Sequence, residues 1–133
     1  MTGRRLYLSR SRLPASRRRA ANEDELEALL AGAGFEVIHP QDMSIREQVM
    51  SVRRAEALAG CDGSALHLAA FARPGTVLLS VDSRPVVNQF MIDNVRGMDA
   101  VHVLAASSVA GRTGLWVADL GLVRDGLAAA DLV

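Results

Sequence analysis

Leu58-Ala59-Gly60-Cys61-Asp62-Gly63-Ser64-Ala65-Leu66-His67 reads as the end of a buried strand, a tight glycine turn and the first turn of a helix. Gly60 and Gly63 bracket Cys61 and Asp62, so the backbone can bend sharply there and approach a ligand closely. Ser64 stands at the helix mouth, where unpaired N–H groups and the positive end of the helix dipole suit a phosphate or another anion; a plain structural turn is the other reading of the same residues. A strand–turn–helix of this kind belongs to an α/β fold, and the flanking sequence supplies the other parts of one.

Upstream, Leu6-Tyr7-Leu8-Ser9 forms a short apolar strand. Ser11 to Ala21 holds Pro14 and an arginine triplet and reads as a loop. Asn22 and Glu25 form a capping box ahead of Leu26, Leu29 and Leu30 at helical spacing, and Gly32 and Gly34 end that helix. Phe35 to Ile38 is a second strand, closed by Pro40. Ser44 and Glu47 repeat the box before a second helix whose apolar side is marked by Ile45, Val49, Val52 and Leu58. Ala55 to Gly60 turns from helix into the strand that ends at the glycine turn.

Downstream, Gly63 to Ala72 reads as a small-residue helix. Thr76-Val77-Leu78-Leu79-Ser80-Val81 is apolar almost throughout, as a central parallel strand is. Val86 to Val95 is a further helix and Val101 to Leu104 a fifth strand. Ala105 to Thr113 is a loop of small residues. Leu115-Trp116-Val117 extends the sheet or crosses its edge, and Asp119 to Leu132 is a closing helix containing Gly121 and Gly126. Strands alternating with helices predict one α/β domain over residues 1–133, a Rossmann-like parallel sheet of about five strands with helices on both faces. Ligands of such sheets bind beyond the carboxyl ends of the strands. Those ends are Ser9-Arg10, Ile38-His39, Gly60-Cys61-Asp62 and Val81-Asp82.

The 133 residues are 50% hydrophobic but only 4% aromatic, so the core is built from aliphatic side chains. The formal net charge of zero hides a lopsided distribution: residues 1–22 hold seven arginines and no acid, while the remaining 111 hold eight arginines and all 15 acids. There is no lysine. An all-arginine set reflects either genome composition or recognition of phosphate and carboxylate by the planar guanidinium fork. The basic start lacks the apolar run of a signal peptide, and no stretch approaches the roughly 18–20 apolar residues of a membrane span. Few aromatics and a mostly acidic remainder argue against a nucleic-acid module. A single cysteine, Cys61, rules out an internal disulfide, and scattered histidines give no zinc spacing. A soluble, intracellular chain without a metal is the expectation.

Several pieces then line up in order: Tyr7-Leu8-Ser9-Arg10, Arg17-Arg18-Arg19 with Asn22-Glu23, Gly34-Phe35-Glu36-Val37, Gln48, and Gly60-Cys61-Asp62-Gly63-Ser64-Ala65-Leu66-His67 with Phe71 and Pro74-Gly75. This series, over about residues 6–105, resembles the C-terminal part of the glycosyltransferase family 61 proteins, which in bacteria include capsular polysaccharide biosynthesis proteins. The resemblance implies one half of a GT-B architecture, the half that generally holds the nucleotide-sugar donor. It further implies transfer of a sugar to a hydroxyl of a glycan acceptor with loss of a nucleoside diphosphate. The donor is a substrate, and no cofactor is implied. The acceptor wall and an assured base would come from an N-terminal partner domain or a second copy, and little or no turnover is expected from the isolated chain. The chain would then be a fragment, a split subunit or a remnant. It would lie in the cytoplasm, peripheral to the membrane through an assembly partner.

The candidate donor residues are Arg10, Arg12, Arg18, Gly60, Asp62, Gly63, Ser64, His67 and Asp82. Arg10 and Arg12 follow the first strand and can clamp a diphosphate, or lie solvated. Arg18 is chosen through the family pattern. Asp62 stands where many relatives carry histidine; it holds a sugar hydroxyl, acts as the catalytic base or caps the helix. Ser64 caps or meets phosphate. His67 faces the cleft or packs. Asp82 is the nearest substitute for a glutamate that many relatives carry at the end of this strand. The alternative function is a non-catalytic nucleotide- or anion-binding module.

Overall fold

The computed structural model describes residues 3–12, 20–61, 64–84, 87–110 and 115–133. Five parallel strands form the sheet: β1 (Arg4–Leu8), β2 (Glu36–Ile38), β3 (Ala55–Cys61), β4 (Val77–Asp82) and β5 (Asp99–Leu104), in spatial order β2-β1-β3-β4-β5. Four α-helices cover it: α1 (Glu23–Gly32), α2 (Ile45–Arg54), α3 (Val87–Arg96) and α4 (Leu120–Ala129). The expected α/β sheet with helices on both faces is therefore present.

Side-chain alternation along each strand sorts the core into two halves. Tyr7, Ala57, Ala59, Cys61, Leu79 and Val81 point to one face, where Leu26 and Leu30 of α1 and Val123 and Leu127 of α4 meet them. Leu6, Leu8, Leu58 and Leu78 point to the other, under Val52 of α2 and Ile92 of α3. Gly126 lets α4 touch the sheet: a Cβ there would lie 2.4 Å from Val103 Cγ2 and 3.1 Å from Leu79 Cδ1. The glycine that weakens helix propensity is thus the helix's contact point with the sheet.

Four expectations change. The stretch after the glycine turn is a 3-10 helix, Ser64–Phe71, not an α-helix. Leu66, Ala69 and Ala72 are all buried, at the three-residue spacing of a 3-10 turn. Leu58 belongs to β3 and not to the apolar side of α2, while Ile45 is exposed. Helix α2 runs into β3 with no residue between Arg54 and Ala55. The small-residue loop after β5 is instead strand β6 (Ala106–Ala110), paired antiparallel with β7 (Leu115–Ala118) in a separate two-stranded sheet. Trp116 anchors that sheet in the core beside α1 and α4.

Of the two capping boxes, one forms. Ser44 Oγ accepts from Glu47 N–H at 3.2 Å and donates to Glu47 Oε1 at 3.0 Å. Asn22 makes no side-chain cap. Its amide instead pairs with the backbone of Ala118, donating to the carbonyl at 3.0 Å and accepting from the N–H at 2.9 Å. It ties the entrance of α1 to the end of β7.

Candidate functional site

β1 and β3 are neighbours, but the chain leaves them in opposite directions. From β1 it passes to α1 on one face; from β3 it passes to the 3-10 helix on the other. This divergence is the topological switch point of the sheet, where a crevice opens beyond the carboxyl ends of the strands. Leu8 pairs with Gly60, so Ser9 and Arg10 on one side stand beside Cys61 on the other. The switch point thus gathers Arg10, Gly60 and the start of the 3-10 helix at Ser64. Asp62, Gly63 and Arg18 lie outside the described residues.

Beneath the switch point lies a buried carboxylate. Glu23, 2% exposed, accepts from the Tyr7 hydroxyl at 2.7 Å, the Arg10 backbone N–H at 3.1 Å and the Cys61 thiol at 3.8 Å. It occupies the first turn of α1, where the helix dipole favours a negative charge. One side chain therefore joins β1, β3 and α1 and fixes the backbone of Arg10. Burial first, and then the nearby Cys61 and Glu23, push the Tyr7 phenol well above its ordinary range, so it stays protonated and donates. A second acid of α1, Glu27, accepts from the buried Ser9 hydroxyl, which also accepts from the Ser11 N–H at 3.1 Å. The acids of α1 hold the loop that carries Arg10 and Arg12.

Glu23 is not among the expected site residues. Its signal is present in the periodicity: Glu23, Leu26 and Leu30 share one helical face, and all three are buried. The acidic run Glu23-Asp24-Glu25 masks it, because its neighbours look alike and face solvent.

The other candidates fall in different places. Arg12 forms an exposed ion pair with Asp42 at 2.6 Å, across the mouth from β1 to the turn after β2. Such a pair is weak in water and yields readily to a stronger anion. Gly60 has a packing explanation: a Cβ would lie 3.2 Å from Leu66 Cδ1 and 3.4 Å from the Leu8 carbonyl, so the missing side chain is the seat of the 3-10 helix. His67 is half-buried, and its Nε2 has no hydrogen-bond partner among the described residues. Gln48 donates to the carbonyls of Pro40 and Met43 at 2.7 and 3.0 Å, securing the loop that carries Asp42.

Asp82 lies on the α3 side of the sheet. At the end of β4 it faces α3, 1% exposed, accepting from Ser80 Oγ at 2.5 Å and lying 3.0 Å from His102 Nδ1 on β5. His102 Nε2 reaches Asp93 of α3 at 2.6 Å, and Gln89 donates to the other oxygen of Asp93 at 2.9 Å. Burial opposes the charge on His102, but hydrogen bonds to Asp82 and Asp93 and their negative charges outweigh it and raise its pKa. The chain of polar groups pins α3 to the sheet. Scattered in the sequence, His102 and Asp93 gave no sign of meeting.

The Glycosyltransferase 61 family model matches residues 1–79, more than half of the chain. The chain belongs to the glycosyltransferase 61 family. No curated protein matches it. The match takes in both strands of the switch point, all of α1 and the 3-10 helix, and ends within β4. The crevice lies inside the matched region; Asp82, α3 and His102 lie beyond it. Family membership places the chain among glycosyltransferases.

Proposed function

We propose that this glycosyltransferase 61 chain binds a nucleotide-sugar donor at the β1–β3 switch point for the assembly of a surface polysaccharide. The observation that carries the reading is the pairing of Leu8 with Gly60, which sets Ser9 and Arg10 beside Cys61 inside the part of the chain that matches the family. In this reading Arg10 and Arg12 embrace the diphosphate, Arg12 exchanging Asp42 for phosphate. Arg18, Gly63 and Ser64 complete the anion site. The transfer joins the acceptor hydroxyl oxygen to the anomeric carbon as the bond from that carbon to the diphosphate breaks. The electron pair leaves with the nucleoside diphosphate, whose growing charge the arginines and N–H groups stabilise. The acceptor's proton passes to a base, for which Asp62 or a group of a completing N-terminal domain is the candidate. The isolated chain is expected to bind donor and turn over little.

Calorimetry with a panel of nucleoside diphosphates tests this. Binding at one site, lost in Arg10→Ala and weakened in Arg12→Ala, is the expected result. A chain that binds none of the panel while remaining folded sinks the proposal.

A second reading has its own observation. Asp82, the acid nearest to the glutamate of many relatives, has both carboxylate oxygens engaged in the core. A module that binds the nucleotide or another anion without transferring sugar fits that arrangement. Robust sugar transfer by these 133 residues alone would exclude it, and would also overturn the expected need for a completing domain.

A further inference from the structure

Helix α3 is built inside out. Its buried positions are Gln89 and Asp93, at 2% and 5% exposure, while Val87, Phe90, Met91 and Val95 are exposed, Val95 at 81%. These four occupy one stripe at helical spacing, i, i+3, i+4 and i+8. Phe71, at the end of the neighbouring 3-10 helix, is half exposed as well. Apolar surface of this extent, on the order of 500 Å², is at the upper end of what a monomer leaves uncovered. The stripe is not a misturned core face. The contacts of Asp93 with His102 and Gln89 fix the rotation of α3 and hold the apolar side outward.

Two grooves adjoin this stripe. One, of about 260 Å³, is lined by Ala70, Met91, Ile92, Val95 and Arg96. The next, of about 370 Å³, shares Ala70 and Arg96 with it and adds Arg53, Arg73 and Phe71. No acid among the described residues lines either groove. Arg96 caps the Ala72 carbonyl at 2.8 Å, and its Nε is buried with no partner among the described residues. Arg53 and Arg73 are exposed and make no ion pair among the described residues. The α2 helix on the same face carries three arginines against one glutamate, whereas α1 on the opposite face carries four acids and no base. The zero net charge of the chain conceals a basic, apolar face backed by an acidic one.

We propose that the outer surface formed by α3, the end of the 3-10 helix and the C-terminal end of α2 docks directly on an anionic lipid membrane. Val87, Phe90, Met91 and Val95 enter the acyl boundary, while Arg53 and Arg73 meet lipid phosphates. A second copy of the chain suits the surface less well, since a two-fold pairing would crowd the arginines of one face against one another. An uncharged apolar partner would leave the arginines unanswered. The acidic opposite face orients the molecule the same way, because an anionic surface repels it.

Flotation with phosphatidylcholine vesicles, with and without phosphatidylglycerol, tests the docking independently of any nucleotide. The expected result is that the chain floats with the phosphatidylglycerol vesicles only, and that added salt releases it. Met91→Glu with Val95→Glu, and separately Arg53→Glu with Arg73→Glu, should each reduce the bound fraction about tenfold or more. All four positions are exposed, so both variants should keep the wild-type circular dichroism and thermal midpoint. The proposal fails if wild type stays in solution with the anionic vesicles, if it floats equally with neutral ones, or if both folded variants float unchanged. A dimer in light scattering that Met91→Glu/Val95→Glu dissolves, in a chain that ignores vesicles, would assign the face to a second copy and overturn the membrane. Donor binding at the switch point is unaffected by either outcome, so the two proposals stand or fall separately.

Discussion

Both helical layers of this molecule rest on an apolar core, but helix α3 adds a chain of polar contacts to it. Helices α1 and α4 lie on the sheet through Leu26, Leu30, Val123 and Leu127, with Gly126 against Val103 and Leu79. Helix α3 on the other face is fastened by Asp82, His102, Asp93 and Gln89, and turns its apolar side out. Apolar packing is indifferent to pH, whereas a hydrogen-bonded ionic chain depends on protonation. The helix that carries the proposed docking surface is the one whose rotation is also specified by polar contacts.

The sharpest way to break this contrast is His102→Ala. It leaves Asp82 and Asp93 buried without a cation, and should destabilise the chain by about 3–5 kcal/mol in denaturant unfolding. A change within experimental error would mean that α3 does not depend on the pin. The counterpart on the opposite face is Gly126→Ala, which inserts a methyl into the Val103 contact and should cost about 1–3 kcal/mol with no change in pH dependence. A neutral or stabilising result would show that α4 stands off the sheet. Asn22→Ala removes two hydrogen bonds to Ala118 and should cost about 1–2 kcal/mol, with faster amide exchange in β7. Unchanged exchange would mean that Trp116 alone holds the hairpin.

The gentlest probe is pH itself. Because the folded-state pKa of His102 is raised, its stabilising contribution is complete below the unfolded value near 6.5 and declines as pH rises through the higher folded value. Wild type should therefore lose stability over that interval relative to His102→Gln. An NMR titration of His102 at or below the free imidazole pKa would contradict it.

Much of this could be seen in the chain before folding. The continuous apolar run ending in Val81 has the composition of a strand buried on both faces, and β4 lies second from one edge with helices above and below. The strand ahead of the glycine pair is likewise legible: β3 ends at Cys61 and a helical segment begins at Ser64. What escaped has a common cause: contacts between residues far apart in the chain. Strand β6 is made of alanine, serine and valine without a period, and only pairing with the Trp116 strand turns it into a sheet. The stripe of α3 is visible as a helix, but the side facing the sheet depends on His102, which no local pattern connects to Asp93. Glu23 looks like its acidic neighbours until Tyr7, Arg10 and Cys61 converge on it. Asp82 was expected in the crevice, but the alternation of β4 puts it on the face of Leu78 and Ser80, toward α3.

The joint between Arg54 and Ala55 has a further consequence. With no spacer residue, α2 and β3 share their length. One residue inserted there either turns α2 by about 100° or slips β3 by one place, exchanging Leu58 with Ala57 or Ala59 across the sheet. Relatives in this family should therefore vary in length at the surface turns and keep a constant count from Ser44 to Cys61, an invariance visible in an alignment without any knowledge of the reaction.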